Sequence, residues 1–203
     1  MTMNAAITSL CYECGRTMEG RKENYKYVEC GLDSVVLRDV LVFHCEHCGA
    51  AVPQITAASI LHRLIAIRLL AKEYRLSGAE IRFLRKAVGY SATELARMAG
   101  TSKSVVSRWE NRSSLGQDSD RLIRLLCAHK MLRDALLGVD PLVDKDKLLA
   151  EAQVLVSDLE GTLKKIHKRK VGKKQQYFID PGDLSKYGHA NLMESESPAE
   201  QLQ

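Results

Sequence analysis

The sequence predicts a mainly α-helical protein that carries a small β zinc ribbon. Three observations predict it. Two Cys-x-x-Cys-Gly units, CYECG at 11–15 and CEHCG at 45–49, bracket a strand-like segment. Between Pro53 and Pro141 there is no proline, and apolar residues recur at helical spacing. Within that stretch Ser and an acid three residues later twice mark a helix start. The expected organisation is a zinc-ribbon domain at 1–54, a linker helix at 55–76, a five-helix-type helix-turn-helix DNA-binding domain at 77–138, and a C-terminal extension at 139–203.

The first element is the ribbon. Zinc takes four N or S ligands in a tetrahedron, and two residues between cysteines let one tight turn present both sulfurs. Gly15 and Gly49 permit the positive φ that turns backbone N–H groups toward the thiolates. Cys11, Cys14, Cys45 and Cys48 are therefore the expected ligands of a structural Zn2+. NYKYVEC and SVVLRDVLVFH read as strands around the turn signal GLD, so a hairpin brings the knuckles together. So small a sheet needs the metal for much of its folding energy. His44 and His47 flank the second pair and are expected as surface residues. A redox dithiol lacks the βαβ context it needs, and four cysteines leave no open position for catalytic zinc. Cys30 and Cys127 read as ordinary buried or half-buried thiols.

The linker helix follows as ITAASILHRLIAIRLLAKEYRL, with Ile60, Leu61, Leu64, Ile67 and Leu70 near one face. The next segment parses into helices. Ser77 with Glu80 starts the first, whose stripe is Ile81, Leu84 and Val88. Ser91 with Glu94 starts the second. Thr101 or Ser102 caps the third, SKSVVSRWENR. A fourth runs over about 118–137 with Leu122, Leu125, Leu126 and Leu132 as its apolar residues. Ala96, Gly100 and Val106 carry the functional reading. They are the small residue at a helix crossing, the turn glycine and the inward aliphatic of a helix-turn-helix. Its second helix enters the major groove of double-stranded DNA. Lys103, Ser104, Ser107 and Arg108 then face base edges, Arg108 suiting guanine. Ser102, Lys103 and Arg112 are placed for phosphates, and Trp109 for packing.

Charge agrees with this. The net charge is +5. Residues 1–54 hold 5 Lys+Arg against 7 Asp+Glu, whereas residues 77–137 hold 11 against 6, so positive charge gathers where phosphate contact needs it. Aromatics are 5% of the chain, so large apolar cores are not expected. No apolar run has the roughly 18–20 residues of a membrane span. MTMNAAITSL lacks a secretory leader's positive start, so the chain reads as cytoplasmic. No nucleophile–base pair or phosphate-cradling loop is visible, and no catalytic residue or enzymatic activity is expected.

The pieces YECG, GLDSVVLRDVLVFHCEHCG and GYSATELARMAGTSKSVVSRWENR, in this order over about residues 10–137, resemble the MqsA-type antitoxins. In that family a YgiT-type zinc ribbon precedes a Cro/repressor-like (Xre) domain. The resemblance implies an antitoxin of a bacterial type II toxin-antitoxin system. It implies a homodimeric repressor that binds operator DNA of its own operon and neutralises a cognate toxin, often an mRNA-cleaving endoribonuclease. The acidic ribbon suits a basic toxin. The family's base-reading Asn and Arg fall on Ser104 and Arg108. Ser104 departs, so the operator sequence does not carry over. Ala92 stands where many Xre domains have Gln. The alternative is a free-standing zinc-containing Xre-type regulator without a toxin.

The extension has no counterpart in the resemblance. Leu148, Ala152, Leu155, Leu159 and Ile166 predict a helix over about 144–167. The basic run KKIHKRKVGKK follows, suited to extra DNA contact, to toxin anchoring or simply to solvent. A polar, acidic, flexible tail ends the chain.

Overall fold

The computed structural model describes residues 7–112, 115–136 and 176–180, with single positions 157, 161, 163 and 182. The basic run and the tail lie outside the described residues, as does the expected helix at 144–167 except for positions 157, 161 and 163, which are helical.

The chain begins with β1 (Ile7–Leu10), β2 (Thr17–Lys26), β3 (Val35–His44) and β4 (Ala51–Pro53). All four pair antiparallel in the order β1-β2-β3-β4. The β2–β3 hairpin was expected, but β2 starts seven residues earlier than NYKYVEC, directly after the first knuckle. The residues after Lys26 form the turn. There Tyr27 N–H donates to Val35 O at 3.0 Å and Gly31 N–H to Val28 O at 2.8 Å. The register shifts between Glu23 and Tyr25, opposite Asp39, whose φ is +50°. This bulge kinks the long hairpin, so its two ends face different surroundings.

Helices follow as α1 (Ala58–Leu70), α2 (Gly78–Ala87), α3 (Ala92–Met98), α4 (Lys103–Glu110) and α5 (Gln117–Leu136). Ser77 and Ser91 each complete a full capping box, with Glu80 and Glu94. A Ser cap is typically worth about 1 kcal/mol. Ser102, not Thr101, caps α4.

Segment 55–76 is more than a linker. Ile60, Leu61, Leu64, Ile65, Ala66, Leu69 and Leu70 of α1 are buried, covering most of its circumference. α1 lies in one core shared by Tyr27, Leu32, Val35 and Leu37 of the hairpin's far end and by Ile81, Leu84, Leu95, Val106 and Ile123 of the later helices. His62 on α1 ties the layers together. Its Nε2 is 2.9 Å from Tyr27 Oη, and its ring meets Phe83 edge-on at 5.8 Å. α1 to α5 all contribute to this core, which is larger than the few aromatics predict because aliphatic side chains fill it.

The buried face of α5 differs from the expected one. Leu125 is 47% exposed, while Asp120, Ile123, Arg124, Cys127 and Ala128 are buried. The leucine pattern misled because the helix turns an ion pair inward.

A fifth strand was not expected. β5 (Tyr177–Ile179), from the extension, pairs parallel with Val35–Leu37 of β3. No described helix is long and apolar enough to cross a membrane.

Candidate metal centre and nucleic-acid interface

The two knuckles have the same backbone. Cys11 N–H donates to Arg16 O at 2.8 Å and Gly15 N–H to Cys11 O at 2.8 Å; Cys45 N–H donates to Ala50 O at 2.9 Å and Gly49 N–H to Cys45 O at 2.8 Å. Gly15 has φ +71° and Gly49 φ +76°, as the turn demands. β1, β2, β3 and β4 enter or leave these turns, so the sheet holds one knuckle against the other.

The four sulfurs lie within 4.8 Å of one another, with Cys11–Cys48 and Cys14–Cys45 each at 3.5 Å. All four cysteines are free. A Zn–S bond of about 2.3 Å puts tetrahedral sulfurs about 3.8 Å apart. The donor set therefore fits a metal ion such as zinc, which would tie both knuckles together. The thiols differ. The Cys48 N–H, with help from the Cys14 thiol, draws the Cys45 thiol down to about 6. The Ala50 N–H favours a Cys48 thiolate, but the Cys11 and Cys45 thiols outweigh it and Cys48 rises to about 12. Thiolates so close repel, and a cation relieves this.

His44 stays outside the cluster, with Nε2 3.0 Å from Glu23 Oε1. His47 is exposed and also outside it. Among the described residues, Cys11, Met18, Phe43 and Cys45 form a small buried cluster around the sulfurs, separate from the large core. The hairpin is thus held at one end by the knuckles and at the other by the helices.

α3, the turn and α4 build the second site. Gly100 turns the chain at φ +62°, and Thr101 N–H donates to Ala96 O at 2.9 Å. Ala96 is 3% exposed at the crossing and Val106 fully buried. Trp109 packs half-buried against the core. Ser102, Lys103, Ser104, Ser107, Arg108 and Arg112 are all exposed, Lys103 to Arg108 on α4 and Ser102 and Arg112 at its ends. Ser102 Oγ accepts the Val105 N–H at 3.4 Å and lies 2.8 Å from Ser104 Oγ, so its hydroxyl already has a structural task.

Cations of two kinds surround α4. Arg85 Nε lies 2.5 Å from Glu110 Oε1, and Arg82 Nη2 donates to Asn111 Oδ1 at 2.9 Å. These arginines of α2 lock the end of α4. By contrast, no ion pair among the described residues engages Lys103, Arg108 or Arg112. Sequence reasoning missed Glu110 as the anchor of α4. The only signal was an acid inside an otherwise basic run. It also missed Gly78, where an added Cβ would stand 2.3 Å from Glu110 O.

Residues 81–128 match the Helix-turn-helix family of Cro/C1 type. The match starts in α2 and ends within α5, enclosing the α3–turn–α4 unit. The chain thus carries a DNA-binding helix-turn-helix domain, and this supports a DNA-binding transcriptional regulator. Comparison with curated proteins and with solved structures found no match.

Proposed function

We propose that this protein is a zinc-stabilised, homodimeric transcriptional repressor that binds operator DNA of its own operon and acts as an antitoxin against a cognate toxin. The observation that carries the DNA-binding part is α4: a helix pinned from behind by Glu110, Trp109 and Val106, with Lys103 and Arg108 projecting unpaired. Positive charge held ready without an internal partner suits the phosphate backbone, and an exposed Arg on the outward face of α4 suits guanine in the major groove. Ser104 and Ser107 are short enough to let the helix approach the base edges closely. Ser102 and Arg112 flank the helix where phosphates run.

The antitoxin part rests on the order of ribbon, helix and helix-turn-helix, and on the acidic ribbon facing a basic endoribonuclease. A second reading, a free-standing zinc-containing regulator, has its own support: β5 gives the ribbon a partner inside the chain. One experiment separates them. The tagged protein is isolated from its native bacterium and its bound proteins identified. Stoichiometric recovery of a small basic protein, toxic when expressed alone, supports the antitoxin. Recovery of specific DNA without such a protein supports the free-standing regulator.

A further inference from the structure

β3 is a central strand with a divided edge. β2 runs along one side, while on the other β4 covers Val42–His44 and β5 covers Val35–Leu37. β5 enters this edge from a distant part of the chain, with 40 residues between the end of α5 and its start. Its Tyr177 and Ile179 are 6% and 3% exposed and belong to the large core, and Tyr177 N–H donates to Ser34 O at 2.7 Å. Phe178 faces out, with the Arg38 guanidinium 4.3 Å over its ring. β5 therefore straps the ribbon to the helical body.

The strap is poorly optimised for permanence. Among the described residues it forms three register pairs, and parallel pairing is the weaker kind. The Tyr177 hydroxyl is buried with no hydrogen-bond partner among the described residues. Such a group costs roughly 1–3 kcal/mol. Burial, reinforced by the nearby Glu80 carboxylate, raises the Tyr177 pKa, so the phenol stays neutral. Pro181 has no N–H to donate to a ladder. Closing the long connection also costs chain entropy.

We propose that residues 176–180 are a displaceable strap seated on a strand-docking edge of β3, and that an extended protein segment with an aromatic and an aliphatic side chain two residues apart displaces it. Strand addition supplies the backbone bonds, and the two inward pockets supply selectivity. The middle position favours an aromatic residue through Arg38. The occupant is defined by what β5 itself presents, and the proposal stands independently of the antitoxin reading.

Two measurements on the full chain test it. In native-state hydrogen exchange, the Tyr177 and Ile179 amides exchange about a hundredfold or more faster than those of Leu84 and Ile123, through local opening. Equal rates would show the strap opens only with the whole fold and would overturn the proposal. In the second, a labelled synthetic peptide of residues 173–182 is titrated against wild type, Ile179→Asp and Tyr177→Phe. Ile179→Asp expels the strap and binds the peptide at least tenfold more tightly than wild type does. Tyr177→Phe removes the stranded hydroxyl, seats the strap more firmly and binds the peptide about tenfold more weakly. A peptide that binds none of the three overturns the docking edge. A faster-exchanging strap in Tyr177→Phe also overturns it, and this conservative variant decides the matter even where Ile179→Asp fails to fold.

Discussion

Arg124 Nε lies 2.9 Å from Asp120 Oδ2, and neither side chain has any solvent exposure. The pair does more than neutralise itself. Arg124 Nη1 donates to Leu69 O at 3.0 Å and Leu70 O at 2.6 Å, and Nη2 to Tyr74 O at 2.7 Å. Asp120 Oδ1 accepts the Leu76 N–H at 2.6 Å. A guanidinium thus satisfies the carbonyl end of α1, where helix dipole and free acceptors favour a cation. This joint fixes α1 against α5.

Removing one partner leaves a buried charge. Arg124→Met should cost about 3–5 kcal/mol in urea unfolding. A cost under 1 kcal/mol, roughly the value of an exposed pair, would mean that water reaches the joint.

Gly78 packs against the end of α4, where Gly78 N–H donates to Arg112 O at 3.0 Å. Gly78→Ala forces backbone apart, since no flexible side chain can yield. A loss of about 1–3 kcal/mol is expected. Operator affinity should fall as well, because α4 shifts. Unchanged melting and unchanged binding would contradict the contact.

Metal removal should act on one end of the hairpin only. With a chelator, or in Cys45→Ser, bound zinc is lost and amides at Val42–His44 lose exchange protection. Amides at Val35–Leu37 keep theirs, because the large core holds them. Uniform loss along β3 would show that the ribbon folds as one unit around the metal.

Arg108→Ala and Arg112→Ala should differ in kind. The first should lose about 1–3 kcal/mol on the operator and relax discrimination at one base pair. The second should weaken all DNA similarly and flatten the salt slope by about 1. Fluorescence anisotropy across salt concentrations and operator variants separates these outcomes. Identical behaviour of the two variants would refute the assigned roles.

Acid should weaken the fold through His62. Burial lowers its pKa below the ordinary 6.5, so the unfolded chain binds the proton first. Its contribution is complete above 6.5 and is lost as pH falls from there through the lowered folded value. Melting temperature measured from pH 7.5 to 5 should drop more in wild type than in His62→Phe, which has no proton to gain. Parallel curves would assign the acid loss to other groups.

Local chemistry was legible in the residues. The knuckles, both capping boxes, the turn at Gly100 and the inward Val106 depend on neighbours a few positions away. Such short-range rules hold wherever the segment sits. The exposed set on α4 followed from the same periodicity. α5 was misread because Asp120 and Arg124 look like surface residues until the carbonyls of Leu69, Leu70 and Tyr74 are brought to them.

The sequence alone therefore determined the central hairpin and the helices that follow it, where most of those helices start, and which four sulfurs can share an ion. Only the tertiary structure decided that α1 is the centre of a shared core, that Glu110 anchors α4, and that β5 completes the ribbon's sheet. The physical reason is separation along the chain. Caps and knuckles are closed by bonds within a few residues, while these three features depend on partners 25 to 142 positions away. Periodicity carries no record of such partners.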